Sequence, residues 1–318
     1  MDPCRTGPTV LRESNAVMVA NAFQLANSCV CFKDPEIAAL YPNSTLLDLA
    51  IKAKKHACAA RTADKTSAER LAKRALNLDP NCAEAYLVLA IHNDNWWTSK
   101  RMVRYGLQAA KLSLPPSYFE EPGQIGNFWH LLETRTYMIG LAMLADACYA
   151  TRDPKEAIES YYEMLRLNPN DNLGARWMLA PLLVEVSRDA EAEALIGSYA
   201  EDYASTLAYV KALISFRRFG PDERSARYMR EAIGRNPFVP VLFGDDKPPC
   251  YSDYFVVGEM SEADAMLISM RAAWDESPGS IEWLLELAQQ VRIEQQAQAK
   301  RALSYKALKR GDYGRIVA

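Results

Sequence analysis

The sequence is punctuated by a recurring junction in which a predicted helix ends in Asp-Pro or Asn-Pro and a second helix follows. Its clearest copies lie in RALNLDPNCAEAYLVLA, MLRLNPNDNLGARWMLA and EAIGRNPFVPVLF, with prolines at Pro80, Pro169 and Pro237. Proline ends a helix because it lacks an N–H group and its ring clashes with the preceding turn. Pro169 and Pro237 are 68 residues apart, twice 34, and Pro115 follows Pro80 by 35 residues. This spacing predicts an all-α fold of repeated helix pairs.

Small residues recur where the two helices of a predicted pair would approach closely. The first helices carry Ala90, Ala145 and Ala180, and the second helices carry Ala68, Ala75, Ala157 and Ala192. A helix pair of this kind has an apolar face that it cannot bury alone, so neighbouring pairs stack and share a continuous core. The pattern therefore predicts a right-handed superhelical solenoid.

One interval breaks the period. Pro115 and Pro169 are 54 residues apart, about 20 more than one repeat of this kind contains. The excess is PPSYFEEPGQIGNFWHLLETRTY, residues 115–137, which combines three prolines and two glycines with many aromatic residues and is expected to run into a long helix. Insertions in repeat arrays form loops on one face, which is often the binding face. We therefore expect this insertion to contribute to function.

The segment from Thr66 to Pro237 resembles the tetratricopeptide repeat, and TRDPKEAIESYYEMLRLNP is very similar to the second half of that repeat. RALNLDPNCAEAYLVLA, GNFWHLLETRTYM, and NPFVPVLF followed by GEMSEADAMLISMRAAWDESPGSIEWL are similar to the repeat region of the suppressor-of-tumorigenicity-like family. The resemblance implies a helical-repeat interaction protein without assigned catalytic residues. It also implies that four residues close the last helix pair: Trp274, Pro278, Gly279 and Trp283.

Two departures from that family stand out. The membrane-embedded segments of its animal members are missing, and Thr136 occupies a position that is usually proline.

The pattern divides the chain into three segments. Residues 1–65 would form N-terminal helices packed on the array, and residues 66–237 would form tetratricopeptide-like repeats with the insertion at 115–137. Residues 238–318 would form an irregular crossing and C-terminal helices. The last predicted helix is polar and basic towards its end, as a helix that caps an open array needs to be.

Composition limits the classes of partner and compartment. The net charge of −3 provides no global field that attracts nucleic acid or an anionic membrane, so we expect neither partner. No apolar run reaches the roughly 18 residues that a membrane span requires, and polar residues interrupt the N-terminal stretch where a secretory signal would be apolar. The seven cysteines are scattered without a C-x-x-C motif, which favours a reducing compartment. We therefore expect a cytoplasmic protein, and the sequence does not predict its oligomeric state.

The insertion supplies the first candidate site. If its end is helical, His130 and Glu133 lie three residues apart on one face, where the carboxylate would orient and charge the imidazole. Together with Trp129, Arg135 and Tyr137 they would form a polar site for an anionic ligand. The structural alternative is a buried pair of Glu133 and Arg135 that fixes the inserted helix against the next repeat.

The concave groove of the predicted array is the second candidate. Counting from Ala145 and Ala180, we expect Met143, Asp146, Tyr149 and Trp177 to face it. Aromatic and methionine side chains suit an extended or helical peptide. The alternative is that these side chains belong to the core.

Other motifs predict no metal or cofactor. Cys29 and Cys31 form a C-x-C pair, but no second pair lies at zinc-finger spacing and the three histidines are far apart in the sequence. The G-x-S-x-G, Walker and G-x-G-x-x-G motifs are missing as well.

The Trp96-Trp97 pair is expected at the end of a first helix, beside Lys100 and Arg101. There it would either stack on a nucleic-acid base or cover the junction of a helix pair.

Two functions remain open at this point. The first is a noncatalytic scaffold or adaptor that binds a peptide or protein segment in the concave face. The second is a small-molecule-binding protein or enzyme, with a closed pocket formed by the array and the insertion and completed by Tyr251. An enclosed cavity beside His130 and Glu133 would favour the second function, and an open groove would favour the first.

Overall fold

A computed structural model describes residues 31–245 and 255–309, and this part of the chain is mostly helical. The described residues form fifteen α-helices and one short 3₁₀ helix, Cys31–Lys33, and they contain no strand. The predicted all-α class is confirmed. Within the same residues no helix is both long enough and apolar enough to cross a membrane.

The described residues fall into two compact units. The first comprises residues 31–182, and the second comprises residues 183–245 and 255–309. The division lies inside the helix Ala175–Glu185, which contains Pro181. The three segments expected from the sequence remain a prediction.

The first unit is built from eight helices and the beginning of a ninth. They are α1 (Pro35–Ala38), α2 (Ser44–Ala60), α3 (Lys65–Leu78), α4 (Ala83–Ile91), α5 (Trp96–Leu112), α6 (Ser117–Glu120), α7 (Arg135–Ala150), α8 (Pro154–Leu167) and α9 (Ala175–Glu185). Four of the longer helices are capped at their N-terminus by a side chain. Each of these side chains accepts a hydrogen bond from the backbone N–H three residues later. These caps are Asn43, Asp64, Asn95 and Asp153.

Consecutive helices of the first unit pack as pairs, α2 with α3, α4 with α5 and α7 with α8. The second helix of a pair also packs against the first helix of the next pair, α3 on α4 and α5 on α7. The alanines expected at close helix approaches are buried in both units: Ala68, Ala75, Ala90, Ala145, Ala157, Ala180 and Ala192. This nearest-neighbour packing is the kind that stacked helix pairs use.

The Asp-Pro and Asn-Pro junctions have the same local structure in all three copies. Asp79, Asn168 and Asn236 each end a helix, with φ of −141°, −146° and −145°. Each donates its backbone N–H to the carbonyl four residues earlier, at 2.9, 2.9 and 3.0 Å. The helical hydrogen-bond pattern thus runs to the residue before proline, whose backbone then becomes more extended.

The insertion has a different structure from the expected one. After α6, residues 121–134 form turns, and α7 begins only at Arg135. His130 and Glu133 therefore do not share a helix, and the prediction that placed them on one helical face is wrong. Several hydrogen bonds stabilise the turns. Among them, the Phe128 N–H donates to the Leu167 carbonyl at 3.2 Å, and the Thr134 hydroxyl donates to the Phe128 carbonyl.

The second unit contains the remaining helices: α10 (Asp189–Ser198), α11 (Ser205–Phe219), α12 (Glu223–Arg235), α13 (Val239–Phe243), α14 (Met260–Asp275) and α15 (Ser280–Lys309). Its core includes Trp274, which is fully buried and packs on Phe243 with ring centroids 5.3 Å apart. Trp283 stacks on Phe216 at 4.7 Å, and Gly279 has a positive φ of 77° between α14 and α15. Trp274, Gly279 and Trp283 therefore lie where α14 meets α15.

A buried carboxylate connects three helices of the second unit. Glu262 of α14 accepts hydrogen bonds from the Ser205 N–H at 2.9 Å and from the Ser205 hydroxyl at 2.7 Å. It also accepts from the Asn236 amide at 2.9 Å and from the Gly258 N–H at 2.8 Å. Because four donors satisfy it, Glu262 fixes the start of α11 and the end of α12 against α14.

Candidate binding cleft

The candidate residues of the insertion make mostly structural contacts. Glu133 is half-buried and accepts a hydrogen bond from the Tyr118 hydroxyl at 3.0 Å, while His130 is exposed. Arg135 donates to the Trp129 carbonyl at 2.9 Å and lies over the Trp129 ring, 5.0 Å from its centroid. The structure thus joins Trp129 to Arg135 and Glu133 to Tyr118.

Tyr137 belongs to an aromatic cluster. Its ring lies 5.2 Å from Phe119 and 6.3 Å from Phe128, both edge to face. Burial raises the pKa of the Tyr137 hydroxyl, and the nearby carboxylate of Glu163 adds to this effect. A recess beside Glu133, also lined by Lys54 and Glu84, has a volume of only about 30 Å³. This is about the room that one water molecule occupies, so the recess does not accommodate a larger ligand.

The residues expected to line a groove differ in exposure. Met143 is buried, while Asp146 and Tyr149 are half-buried, and Asp146 hydrogen-bonds the buried Tyr161. Trp177 is half-buried beneath the Arg176 guanidinium, which lies 4.4 Å from its ring centroid. Tyr251 lies outside the described residues.

The Trp96-Trp97 pair begins a helix instead of ending one, so that prediction is wrong. Asn95 caps α5 by accepting a hydrogen bond from the Thr98 N–H at 3.0 Å. Trp97 is exposed, but the neighbouring Lys100 is buried and forms ion pairs with Asp153 and Glu156, each at 2.9 Å. Because Lys100 is already paired with two carboxylates, it is not available as a cation for a nucleic acid stacked on the tryptophans.

The same ion pairs explain the one group of metal-ligating side chains among the described residues. Cys148, Asp153 and Glu156 bring their ligand atoms within 4.8 Å of one another. However, the ammonium of Lys100 and the guanidinium of Arg104 already neutralise these carboxylates. Burial, and after it the neighbouring Glu156, raises the pKa of the Cys148 thiol to about 12, so the group is a thiol at neutral pH. The cluster is an ion-pair network between α5, α7 and α8. The Cys29 and Cys31 side chains lie outside the described part of the chain.

An open cleft of about 320 Å³ lies in the second unit, between α10, α11 and α12. Each helix contributes a stripe of residues spaced three or four apart, which places them on one helical face. The stripes are Glu193, Ile196, Gly197 and Ala200 on α10 and the following turn, Leu207, Ala208, Lys211, Ser215 and Arg218 on α11, and Arg224, Tyr228, Glu231 and Arg235 on α12. Its volume lies at the lower end of the range for ligand sites.

The floor of the cleft is apolar and its rim is charged. Leu207 and Ala208 are buried, and Phe219 at one end keeps 44% of its surface exposed. On the rim, Arg218 pairs with Glu193 at 2.7 Å, and Arg235 pairs with Glu231 at 2.9 Å. Lys211 lies over the Tyr228 ring at 4.4 Å, and Arg224 lies over the Phe219 ring at 4.9 Å. Apolar side chains surrounded by oriented charged groups are typical of a protein-binding surface.

The sequence reasoning did not identify this cleft, although its stripes were visible. Arg224, Tyr228, Glu231 and Arg235 follow a spacing of four, three and four residues, and Lys211 and Arg218 are seven apart. Such a stripe marks one face of a helix, but it does not show whether that face meets solvent alone or meets two other helices. The groove positions were predicted by counting from Ala145 and Ala180, which lie in earlier helices.

Comparison with known proteins does not identify a family for this chain. No family model matches the chain, and no curated protein or solved structure does either.

Proposed function

We propose that this chain is a noncatalytic helical-repeat scaffold that binds a peptide or protein segment in the cleft between α10, α11 and α12. In this proposal the helix pairs belong to a right-handed, tetratricopeptide-like solenoid. The nearest-neighbour packing of α2 to α5 and of α7 and α8 supports that arrangement. The observation that carries the function is the open cleft itself, since three helices present small, apolar, aromatic and charged side chains to one space.

The sizes of two spaces among the described residues favour a peptide over a small molecule. The recess beside Glu133 measures about 30 Å³, whereas ligand pockets are usually about 300 Å³ or larger. The cleft reaches about 320 Å³ and is open to solvent, as a surface for an extended or helical segment is. The small recess beside Glu133 therefore does not support a closed ligand pocket at that place.

A pair of glycines provides the test. Gly197 lines the cleft and Gly234 does not, yet both are the next-to-last residue of a helix. A Cβ atom added at either one would meet no atom within 4 Å. Gly197→Trp should therefore fill the cleft without disturbing the fold, and Gly234→Trp is its matched control.

Peptides would be selected from a displayed random library on the full-length protein and then titrated by fluorescence anisotropy. We expect Gly197→Trp to weaken binding by at least about tenfold, because a bulky ring occupies the peptide's place. Gly234→Trp should bind like the wild type. Circular dichroism would check that both variants fold. If no peptide is selected, or if Gly197→Trp binds as well as the wild type, the cleft is not the binding site.

A further inference from the structure

The charges around the cleft between α10, α11 and α12 are not balanced. Its carboxylates are already engaged, Glu193 with Arg218 and Glu231 with Arg235. Asp202, at the end of the cleft, accepts a hydrogen bond from the Ala204 N–H at 2.8 Å. The acidic groups of the rim thus have partners within the protein.

Two cations of the same rim have aromatic rings in place of carboxylates. Lys211 and Arg224 are both exposed, and they lie over Tyr228 and Phe219. Among the residues that the structure describes, neither cation has a carboxylate within ion-pair distance. An aromatic ring holds a cation in place and leaves its outward N–H donors free for an incoming acceptor.

Tyr228 carries a second cation on its ring. Arg227 lies 5.5 Å from the ring centroid, while Lys211 lies 4.4 Å from it. The end of the cleft formed by α11 and α12 therefore has an excess of positive charge, although the chain as a whole has a net charge of −3. This excess is local, so a ligand seated at this end of the cleft would meet it directly.

We propose that the cleft takes an acidic peptide segment, whose carboxylates pair with Lys211 and Arg224 and whose apolar side chain covers the partly exposed Ile196. This inference rests on the proposed function and specifies its ligand. Arg224 offers a planar fork of donors that matches a carboxylate, and Lys211 offers a point charge. The apolar contact would supply affinity, and the two cations would select the ligand.

A peptide fits these charges better than a nucleic acid does. A nucleic acid carries a phosphate charge at every nucleotide, so its backbone would also pass the carboxylates of Glu193 and Glu231 on the rim. A peptide presents acidic groups only where its sequence places them. Its uncharged residues can lie beside the two paired carboxylates.

The experiment compares three fluorescent peptide pools that share length and apolar content and differ in carrying Glu, Gln or Lys at the charged positions. A mixed-sequence single-stranded RNA is the fourth probe. We expect the Glu pool to bind most tightly to the full-length protein, and its affinity to fall as salt is added. Lys211→Gln and Arg224→Gln should each weaken Glu-pool binding by about two- to fivefold, as loss of an exposed ion pair does.

Two control variants separate charge from other effects. Lys211→Arg keeps the cation and should retain binding. Arg101→Gln removes an exposed cation from α5, outside the cleft, and should leave binding unchanged.

The possible results distinguish this inference from the function on which it rests. If the Gln pool binds as tightly as the Glu pool and Gly197→Trp abolishes both, the scaffold proposal stands and the acidic ligand is wrong. Tighter binding of RNA that Gly197→Trp also abolishes would overturn the acidic peptide in favour of a nucleic acid. If no pool binds, or if Gly197→Trp leaves binding intact, the proposed function fails as well.

Discussion

Glu84 illustrates how single residues of the first unit satisfy a buried charge. It is 3% exposed, and one carboxylate oxygen lies 2.9 Å from both the Lys54 ammonium and the Thr136 hydroxyl. Burial alone would raise the pKa of Glu84, but the charge and hydrogen bond of Lys54, with help from Thr136, lower it overall. Thr136 stands where the resemblance expected from the sequence would place a proline. At this position the hydroxyl supplies a donor that proline would lack.

Thr136→Val should therefore destabilise the protein. Valine has nearly the same shape but no hydroxyl, so the buried carboxylate of Glu84 loses one of its three side-chain donors and keeps Lys54 and the Cys82 thiol. We expect the free energy of unfolding to fall by about 1–3 kcal/mol. Urea denaturation followed by circular dichroism would measure the change. Thr136→Ser keeps the hydroxyl and should lose less stability than the valine variant, and equal losses would show that the hydroxyl is not the cause.

Glu156 makes stability depend on pH. Burial alone would raise its pKa, but hydrogen bonds from Arg104, Lys100 and Cys148 outweigh it and lower the pKa to about 2. In the unfolded chain the value is near 4.5. The stabilisation is therefore fully present above pH 4.5 and is lost as the pH falls from 4.5 towards 2.

We expect Glu156→Gln to lower the free energy of unfolding at pH 7 by about 1.5–3 kcal/mol, the usual contribution of a hydrogen bond to a charged group. The difference between variant and wild type should shrink as the pH falls below 4.5. Denaturation curves over this pH range would test it. The control is Glu159→Gln, an exposed position on the same helix, which should follow the wild type. A difference between variant and wild type that is independent of pH would contradict the assignment.

At the scale of helices, the features that could be predicted from the sequence are those whose cause lies within a few residues along the chain. The junctions at Asp79, Asn168 and Asn236 were predicted because proline acts on its own backbone and on the preceding turn. The start of α5 was predicted wrongly, because Trp96 and Trp97 were placed at the end of a helix. The Asn95 side chain that caps α5 is also a local signal.

The turns of the insertion and the cleft could not be predicted from local sequence patterns. Phe128 is held by the carbonyl of Leu167, thirty-nine positions later in the sequence. No residue spacing within the insertion predicts that hydrogen bond. In the same way, Tyr228 and Lys211 come together because α11 packs on α12, and their shared cleft also needs α10. The helices could be predicted from the sequence, but the surface that three of them form could not.

Helix glycines give a test of packing at this scale. At Gly106 in α5, an added Cβ would lie 2.9 Å from Leu87 Cδ2 and 3.3 Å from the Ala83 carbonyl oxygen, both in α4. At Gly197 and Gly234 the space is open. We expect Gly106→Ala to destabilise the protein by about 1–3 kcal/mol through overpacking. Gly197→Ala and Gly234→Ala should each stabilise it by up to about 1 kcal/mol, since alanine is the better helix former.

Thermal denaturation of the three variants would measure these changes. Because the same substitution is made in a helix each time, the difference in sign isolates the effect of the neighbouring helix. If Gly106→Ala were as stable as the other two, α4 and α5 would be less closely packed than the structure shows.

At the scale of the whole molecule, each compact unit has its own core and its own network of charged side chains. In the first unit Lys100, Arg104 and Glu156 join α5 to α8, with Cys148 of α7 beside them. In the second unit Glu262 joins α11, α12 and α14. In a chain of stacked helix pairs, stability is approximately the sum of local terms, so damage to one network should remain near it.

Amide hydrogen exchange of Glu156→Gln and Glu262→Gln would test this as a reciprocal pair. We expect Glu156→Gln to speed exchange in α5, α7 and α8 and to leave α11 and α12 as in the wild type. Glu262→Gln should do the reverse, because it deprives two Ser205 donors, Asn236 and Gly258 of a charged acceptor. If either variant speeds exchange equally in all helices, the chain opens as one cooperative unit. The local description of its stability would then be wrong, whereas confined effects would mean that the cleft between α10, α11 and α12 can be altered without weakening the first unit.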